Sequence, residues 1–365
     1  MRRSSARNDG DGLLVMARMT TIIGWDIGGA HVKAARVEDG RLVAVTQRAC
    51  APHMGLAHLE APIRETLAEL GVADVHRITM TAELSDAFED RSTGVVSVAA
   101  IAAREIGAGD ILFYAGARGF VERAGVAQAA RSIASANWRA SAELVAQQCG
   151  EALFIDMGST TTDLVPIRSG VICAIGETDA ERLVNGELAY AGFSRGAPQS
   201  YATRAPIDGR WTPLVNESFA SMADVRRVLG DLPEGESPAD LSPTADGRPK
   251  TVAASSARLA RLVGADGLSE AQARALAFWF AQAQLRTIEN QLSLLTSRSA
   301  VEEDAPVIGA GVGRIVARRL AEAQGRDYRD FADLITAPEA LAAAASNCAP
   351  AAALALLAQR AHASS

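Results

Sequence analysis

Hydrophobic and polar positions along this chain fall into short apolar runs, two of which end in the same way. Thr20 to Trp25 is apolar and stops at Asp26; Leu153 to Ile155 is apolar and stops at Asp156. Runs of this length, closed by a carboxylate and a glycine, predict buried strands. After each glycine a second strand follows, one reaching Glu38 and the other covering Leu164 to Ile167. Asp39-Gly40 is a hairpin signal leading into a third strand, Arg41 to Arg48. Helical spacing covers Leu56 to Leu70, ending at Gly71, and Leu268 to Leu295, where Ser269 and Gln272 make a capping box. Gly94 to Ile106 has no polar face and predicts a buried helix; Val126 to Gln148 reads as one long Ala-rich helical stretch. Arg77–Met80, Asp110–Tyr114 and Val171–Ile175 read as strands, as do segments around Glu187–Gly192 and Trp211–Val215. Asp231 to Lys250 reads as a long surface excursion, and from Tyr328 onward the chain is Ala-rich and helical.

Asp26-Ile-Gly28-Gly29-Ala30-His31-Val-Lys33 and Asp156-Met-Gly158-Ser159-Thr160-Thr161-Thr162-Asp163 are therefore two copies of strand, Asp-x-Gly turn, strand. Such a turn offers backbone N–H groups and hydroxyls to a phosphate, with carboxylates placed for a divalent cation. Taken alone, either hairpin is equally well an ordinary turn with a solvated tip. Duplication one domain length apart predicts a phosphate clamped between two halves. Val307-Ile308-Gly309-Ala310-Gly311-Val312-Gly313 adds a strand, a glycine turn and a helix start, which favours anions.

Composition narrows this further. A length of 365 residues fits two domains, and 48% apolar content with 5% aromatic implies cores built from Ala, Val, Leu and Ile. A net charge of −7 without a basic stripe argues against nucleic acid and against an anionic membrane surface. Cys50, Cys149, Cys173 and Cys348 are scattered, which reads as reduced thiols and neither a metal site nor a disulfide framework. No apolar run reaches a membrane span and residues 1–19 lack a signal-peptide core, so the chain reads as soluble and cytoplasmic. Residues 1–19 are expected to be a disordered extension, with Met16 or Met19 as alternative starts.

The ordered set of two Asp-x-Gly hairpins and a late glycine turn resembles the superfamily of sugar kinases, actin and the heat-shock ATPases. The resemblance implies an α/β fold of two ribonuclease H-like (actin/sugar-kinase-type) domains with a central cleft. The domains are expected at 20–148 and 149–327, the second carrying the adenosine-type glycine loop, with helices in 328–365 packing back on the body. Two departures stand out: Ala30 sits where kinases carry Ser or Thr, and Ser159 where many relatives have Gly. Beyond the clamp, Asp26 to Lys33, Met80-Thr-Ala-Glu-Leu-Ser-Asp86, Ser135-Ala-Asn-Trp138 and Thr244 to Lys250 resemble a narrower group. That group is the tetrahydromethanopterin-linked C1 transfer pathway family, allied to the methanofuran-biosynthesis synthases and to the hydantoinase/oxoprolinase branch. The likeness runs from Thr20 over nearly the whole chain.

This resemblance implies a transferase: a phenol such as γ-glutamyltyramine displaces diphosphate from an aminomethyl-furanmethanol diphosphate and forms an aryl furfuryl ether. Gly28, Gly29, Lys33, Gly158, Ser159, Thr160, Thr161, Gly309 and Gly311 are expected to bind phosphate, and Asp26 with Asp156 to hold Mg²⁺. Glu83, Asp86 or Asp163 is expected to supply the catalytic carboxylate, and His31, Thr81, Asn137 and Trp138 to contact substrate. Asp246, Arg248 and Lys250 are candidates for a closing loop. Each has a plain structural alternative: turn-capping aspartates, a core tryptophan, a structural histidine, a solvated charged loop. ATP binding stays open, as do a homodimer, a kinase or hydantoinase-like hydrolase, and a non-catalytic nucleotide-binding regulator.

Overall fold

A computed structural model describes residues 20–363; the expectations for residues 1–19 and for alternative starts lie outside the described residues. The first sheet contains β1 (Thr21–Ile27), β2 (His31–Glu38), β3 (Arg41–Ala49), β4 (Val75–Met80), β5 (Asp110–Tyr114) and the short β6 (Phe120–Val121). The second half adds β7 (Ala152–Met157), β8 (Thr162–Arg168), β9 (Val171–Ile172), β10 (Leu188–Ala189), β11 (Arg204–Ile207), β12 (Arg210–Pro213), β13 (Val307–Ala310) and β14 (Tyr328–Asp330). The first sheet runs β3-β2-β1-β4-β5-β6, and the second runs β10-β8-β7-β13-β14 with β9 also on β8. In both, the first two strands are antiparallel and the next two add in parallel. The halves thus share one topology, and the fold is the two-half α/β type expected.

The hairpins match in detail. Asp26 pairs with Lys33 across the first, and Asp156 with Asp163 across the second. Tight turns follow from turn chemistry: Asp39-Gly40, Ser169-Gly170 and Asp208-Gly209 all take positive φ at both residues, the pattern of two-residue hairpins.

Strand alternation decides what each sheet face carries. Ile23, Trp25 and Ile27 pack outward with the helices Ala57–Leu70, Arg91–Ile106 and Val126–Ile133. Ile22 packs on the opposite, central face, the face shared by Gly24 and Asp26. In β7, Leu153, Ile155 and Met157 pack outward, while Phe154 joins the central core on the face that ends in Asp156. Both aspartates therefore look into the space between the sheets.

Two helices fill that space below the cleft, and they are exchanged. Asn137–Gln148 packs on β7, β8 and β9 of the second sheet, while Ala349–Ala363 packs on β1, β2 and β4 of the first; the helices also pack on each other. Gly24 makes this approach possible. A Cβ there would fall on the Ala351 carbonyl and lie 2.7 Å from Ala355 N. Packing of the two halves therefore crosses the expected boundary near residue 149, and 328–365 holds strand β14 as well as helices.

Three local expectations need correction. The helical stretch Val126–Gln148 is two helices, because Ala134 leaves the first to form a parallel bridge with Met80 and Ser135 adopts φ 52°. Of the segments expected as strands, Glu187–Gly192 shrinks to β10, and Trp211–Val215 shifts to β12. Asp231 to Lys250 is not merely a surface excursion: Arg227 reaches Asp240 at 2.6 Å, Arg258 reaches Asp246 at 3.0 Å, and Lys250 reaches Glu236 at 2.9 Å, with Asp240 and Lys250 buried. Among the described residues no single helix is long and apolar enough to cross a membrane.

Candidate active site

A cavity of about 650 Å³ opens between the sheets and is lined by both hairpin tips. Each tip closes with the same bond, Gly28 N–H to His31 O at 2.8 Å and Gly158 N–H to Thr161 O at 2.9 Å. Cys50 Sγ–H donates to Gly28 O at 3.0 Å, and Cys50 N–H to Ala30 O at 2.9 Å. The segment Gly192–Arg195 does the same for the second tip: the carbonyls of Gly158, Ser159 and Thr160 accept from Phe193, Arg195 and Gly192. The carbonyls are thus turned away and engaged. Among the described residues, the N–H groups of Gly29, Ala30, Ser159 and Thr160 donate to no protein acceptor. Two facing loops with unspent N–H groups are a ready receptor for phosphate oxygens.

Charge is concentrated beneath them. Lys33 Nζ lies 3.8 Å from Asp26 Oδ2. Burial works against the Lys33 ammonium, but Asp26 above all, with Cys348 and Asp156, holds it above its ordinary pKa. Asp156 is pushed up to about 7, first by burial and then by the negative charge of Asp163, with Lys33 opposing. Asp26 and Asp163 are also raised, each chiefly by burial, against the opposing charges of Lys33 and Arg182 respectively. Asp26 Oδ1 is buried and has no partner. Crowded carboxylates with an orphaned oxygen fit a divalent cation. Among the described residues no group of three or more His, Cys, Asp or Glu is gathered as a metal site. A pair of carboxylates nevertheless suits Mg²⁺, which keeps waters and takes phosphate oxygens as its other ligands.

Of the expected catalytic and substrate residues, His31, Thr81, Asp86, Asn137 and Asp163 line the cavity, and Glu83 and Trp138 do not. His31 lines the cavity, but burial, then Lys33 and Arg195, lower its pKa to about 3, so it stays neutral and is a poor base. Thr81, Asp86 and Asn137 line the cavity. Glu83 does not; it is 2% exposed behind the wall. Asp163 is engaged by Arg182 Nη1 at 2.7 Å. Trp138 is core, its ring covered by the Arg182 guanidinium at 4.0 Å.

The late glycine turn is spent. Gly311 N–H donates to Ser346 O and Gly313 N–H to Met157 O, both at 2.8 Å, and the Tyr328 ring occupies the place a side chain at Gly309 would take. Gly309 and Gly311 line no part of the cavity; instead Gly311, at φ +80°, lies against Asp156, 2.5 Å separating its Cβ position from Oδ1. Of the proposed closing loop, Asp246 is bonded to Arg258 and Lys250 to Glu236, and none of its three residues reaches the cavity.

Three residues that motif reading missed, Asp179, Arg182 and Arg195, complete the site together with Ser135, which opens the Ser135-Ala-Asn-Trp138 stretch without an expected role; all four line the cavity. Arg195 Nη1 reaches Thr160 Oγ1 at 3.4 Å. Asp179 starts a short helix capped by Thr178 and Glu181, and accepts from Arg91 Nη2 at 3.1 Å across the halves. For Asp179 a signal was readable, the Thr178–Glu181 capping box.

Residues 74–360 match the family described as Hydantoinase/oxoprolinase. The chain is 28% identical over 254 residues to the (4-{4-[2-(gamma-L-glutamylamino)ethyl]phenoxymethyl}furan-2-yl)methanamine synthase of Methanocaldococcus jannaschii, covering 67% of this chain and 72% of that protein. It is 34% identical over 126 residues to the protein of the same name from Methanococcus vannielii, covering 34% of this chain and 55% of the relative. Among solved structures, a nucleotide-free acetone carboxylase superposes with a TM-score of 0.55 at 14% identity, covering 91% of this chain and 70% of that one, a likeness of fold.

Proposed function

Because the chain belongs to the hydantoinase/oxoprolinase family, and because its relatives there include methanamine synthases of the phenoxymethyl-furan type, we propose that it makes an aryl furfuryl ether. A phenol of the γ-glutamyltyramine kind joins an aminomethyl-furanmethanol diphosphate, and diphosphate leaves, in cytoplasmic biosynthesis of a methanofuran-type one-carbon carrier. The observation that carries this reading is the pair of matched hairpin tips with unspent N–H groups around one cavity, combined with a glycine turn outside it whose Gly311 and Gly313 N–H groups are engaged.

The residues suit the chemistry. As the bond between the furfuryl CH₂ and the diphosphate oxygen breaks, negative charge grows on the leaving group. The free N–H groups of the tips, Lys33 and Arg195 are placed to stabilise it. Asp26 and Asp156 would hold a magnesium ion, which supplies further positive charge to diphosphate when bound. The furan ring delocalises the positive charge left on its CH₂, the phenol oxygen forms the new C–O bond, and its proton passes to a protein group. Cys50 and Cys348, each pushed up to about 12 chiefly by burial, stay protonated and do not compete as nucleophiles.

The test combines turnover and binding. With both substrates and magnesium, mass spectrometry should detect the ether in step with diphosphate release. Pyrophosphate should raise the melting temperature of wild type but not of Asp156→Ala. Substrate-dependent ATP hydrolysis without ether would transfer the assignment to an ATP-dependent kinase or hydrolase. Strong protection by ATP without turnover would make the chain a nucleotide-binding regulator.

A further inference from the structure

We propose that Ser135 and Glu83 form a proton relay that takes the phenol proton out of the cavity. The inference rests on the ether-forming reading above and adds the path by which the nucleophile is activated.

Glu83 follows β4 and is sealed: Gly94 packs so closely that a Cβ there would lie 2.8 Å from Glu83 O and 2.9 Å from Glu83 Cβ. Of its two carboxylate oxygens, Oε2 is buried without a partner and Oε1 accepts from Ser135 Oγ–H at 3.1 Å. Ser135 lines the cavity that Glu83 cannot reach. It comes there through the single bridge between Met80 and Ala134, and it holds φ at 52°, a conformation disfavoured for a non-glycine residue by about 1–2 kcal/mol. A strained serine wedged between a cavity and a sealed carboxylate invites a functional account.

The polarity of the chain is fixed by its third member. Arg91 Nη2 donates to Ser135 Oγ at 2.6 Å, and a guanidinium has no acceptor. Ser135 must therefore send its own hydrogen to a carboxylate, Glu83 at 3.1 Å before Asp179 at 3.5 Å. One acceptor position on Oγ remains for an incoming O–H. The transfer balances: the phenol O–H proton moves to Ser135 Oγ, the Ser135 proton moves to Glu83 Oε1, the phenol oxygen bonds to the furfuryl CH₂, and diphosphate departs with the electron pair of the broken C–O bond. The charged groups around Glu83 are Arg91, at 3.5 Å from Oε1, and Asp179 beyond it. Burial, opposed by Arg91 and Ser135, lifts Glu83 to about 7, the range that suits a base working near neutrality.

The test uses two phenols with wild type, S135A and E83Q. One phenol is protonated at the assay pH; the other is ring-fluorinated and already ionised. With the protonated phenol, both variants should lose at least about 100-fold in kcat with KM for the diphosphate unchanged. With the ionised phenol, both should return to within a few-fold of wild type, since no proton has to leave. Wild-type turnover alone tests the ether-forming reading, so its failure is separable from failure of the relay. Equal impairment with both phenols, or full activity with the protonated one, would overturn the relay. If S135A does not fold, S135G, which accepts the same backbone angle without strain, carries the test.

Discussion

At Gly24 the first sheet and the helix Ala349–Ala363 meet backbone to backbone, and Gly24→Ala measures how firmly that contact is set. The new methyl would fall on the Ala351 carbonyl and lie 2.7 Å from Ala355 N, where real contacts need at least 3.0 Å. Both obstacles are main chain, so no rotamer change relieves them and the helix has to lift from the sheet. Residues 351–355 of that helix are fully buried, so any lift opens packed apolar surface. Overpacking costs about 1–3 kcal/mol, and two backbone obstacles put this case near about 3 kcal/mol. At about 2 °C per kcal/mol, the melting temperature should fall by about 6 °C. Gly150→Ala is the control: nothing lies within 4 Å of its Cβ position, so its effect should stay within about 0.5 kcal/mol. Pro350, at the start of the same helix, lines the cavity, so Gly24→Ala should also weaken thermal protection by pyrophosphate. A Gly24→Ala protein that melts with wild type would refute the tight-contact account.

Glu83 titrates near 7 when folded against 4.5 as a free side chain, so the folded state holds its proton longer. Its contribution is full below pH 4.5 and is lost as pH rises through about 7, amounting to about 3 kcal/mol at most. Urea midpoints at pH 5 and pH 8 should therefore diverge less in Glu83→Gln than in wild type; equal divergence counts against this burial. Arg182→Met strips the buried partner from Asp163 and should destabilise by about 3–5 kcal/mol. The double variant with Asp163→Asn should recover much of that in a denaturation series, and no recovery would mean that Arg182 acts through Trp138 instead. Gly311→Ala would press on Met157 O and Asp156 Oδ1. It should abolish magnesium-dependent protection by pyrophosphate in a thermal-shift assay, and intact protection would detach the turn from Asp156.

Local chemistry was legible where it repeats or where a turn dictates it. Asp26 and Asp156, each followed by x-Gly and a strand, are readable because the hairpin is short and its pairing follows from its own residues. Ser269 with Gln272 marks the start of the long helix Glu270–Ser297 for the same reason. What stayed hidden depends on contacts between distant segments. Arg182 and Arg195 carry no motif; they matter because the fold brings them under the second tip. Glu83 and Trp138 sit in motif-like stretches, yet burial puts one behind the cavity wall and the other into the core. Gly309 and Gly311 look like a phosphate loop in sequence, and only the acceptors Ser346 O and Met157 O reveal that the turn supports Asp156 instead. Ser135 stands in a motif-like stretch, but its role was hidden because the helical pattern around it gives no sign of the bridge between Ala134 and Met80 that interrupts it.

The exchanged helices bear on the order in which this molecule can be made. The strand Thr21–Ile27 is among the first described segments to leave the ribosome, yet one of its faces is covered by Ala349–Ala363, the last. Until that helix has been made, Ile22, Ala35 and Val37 lack their partners in it. The nascent chain therefore carries an open apolar face from the first sheet onward until residue 349 is passed, a period in which unpartnered surface invites aggregation or chaperone capture. Stopping synthesis shortly before residue 349 would leave the first sheet without its cover, so ribosome-bound fragments should gain protease resistance in that half only when Ala349–Ala363 emerges.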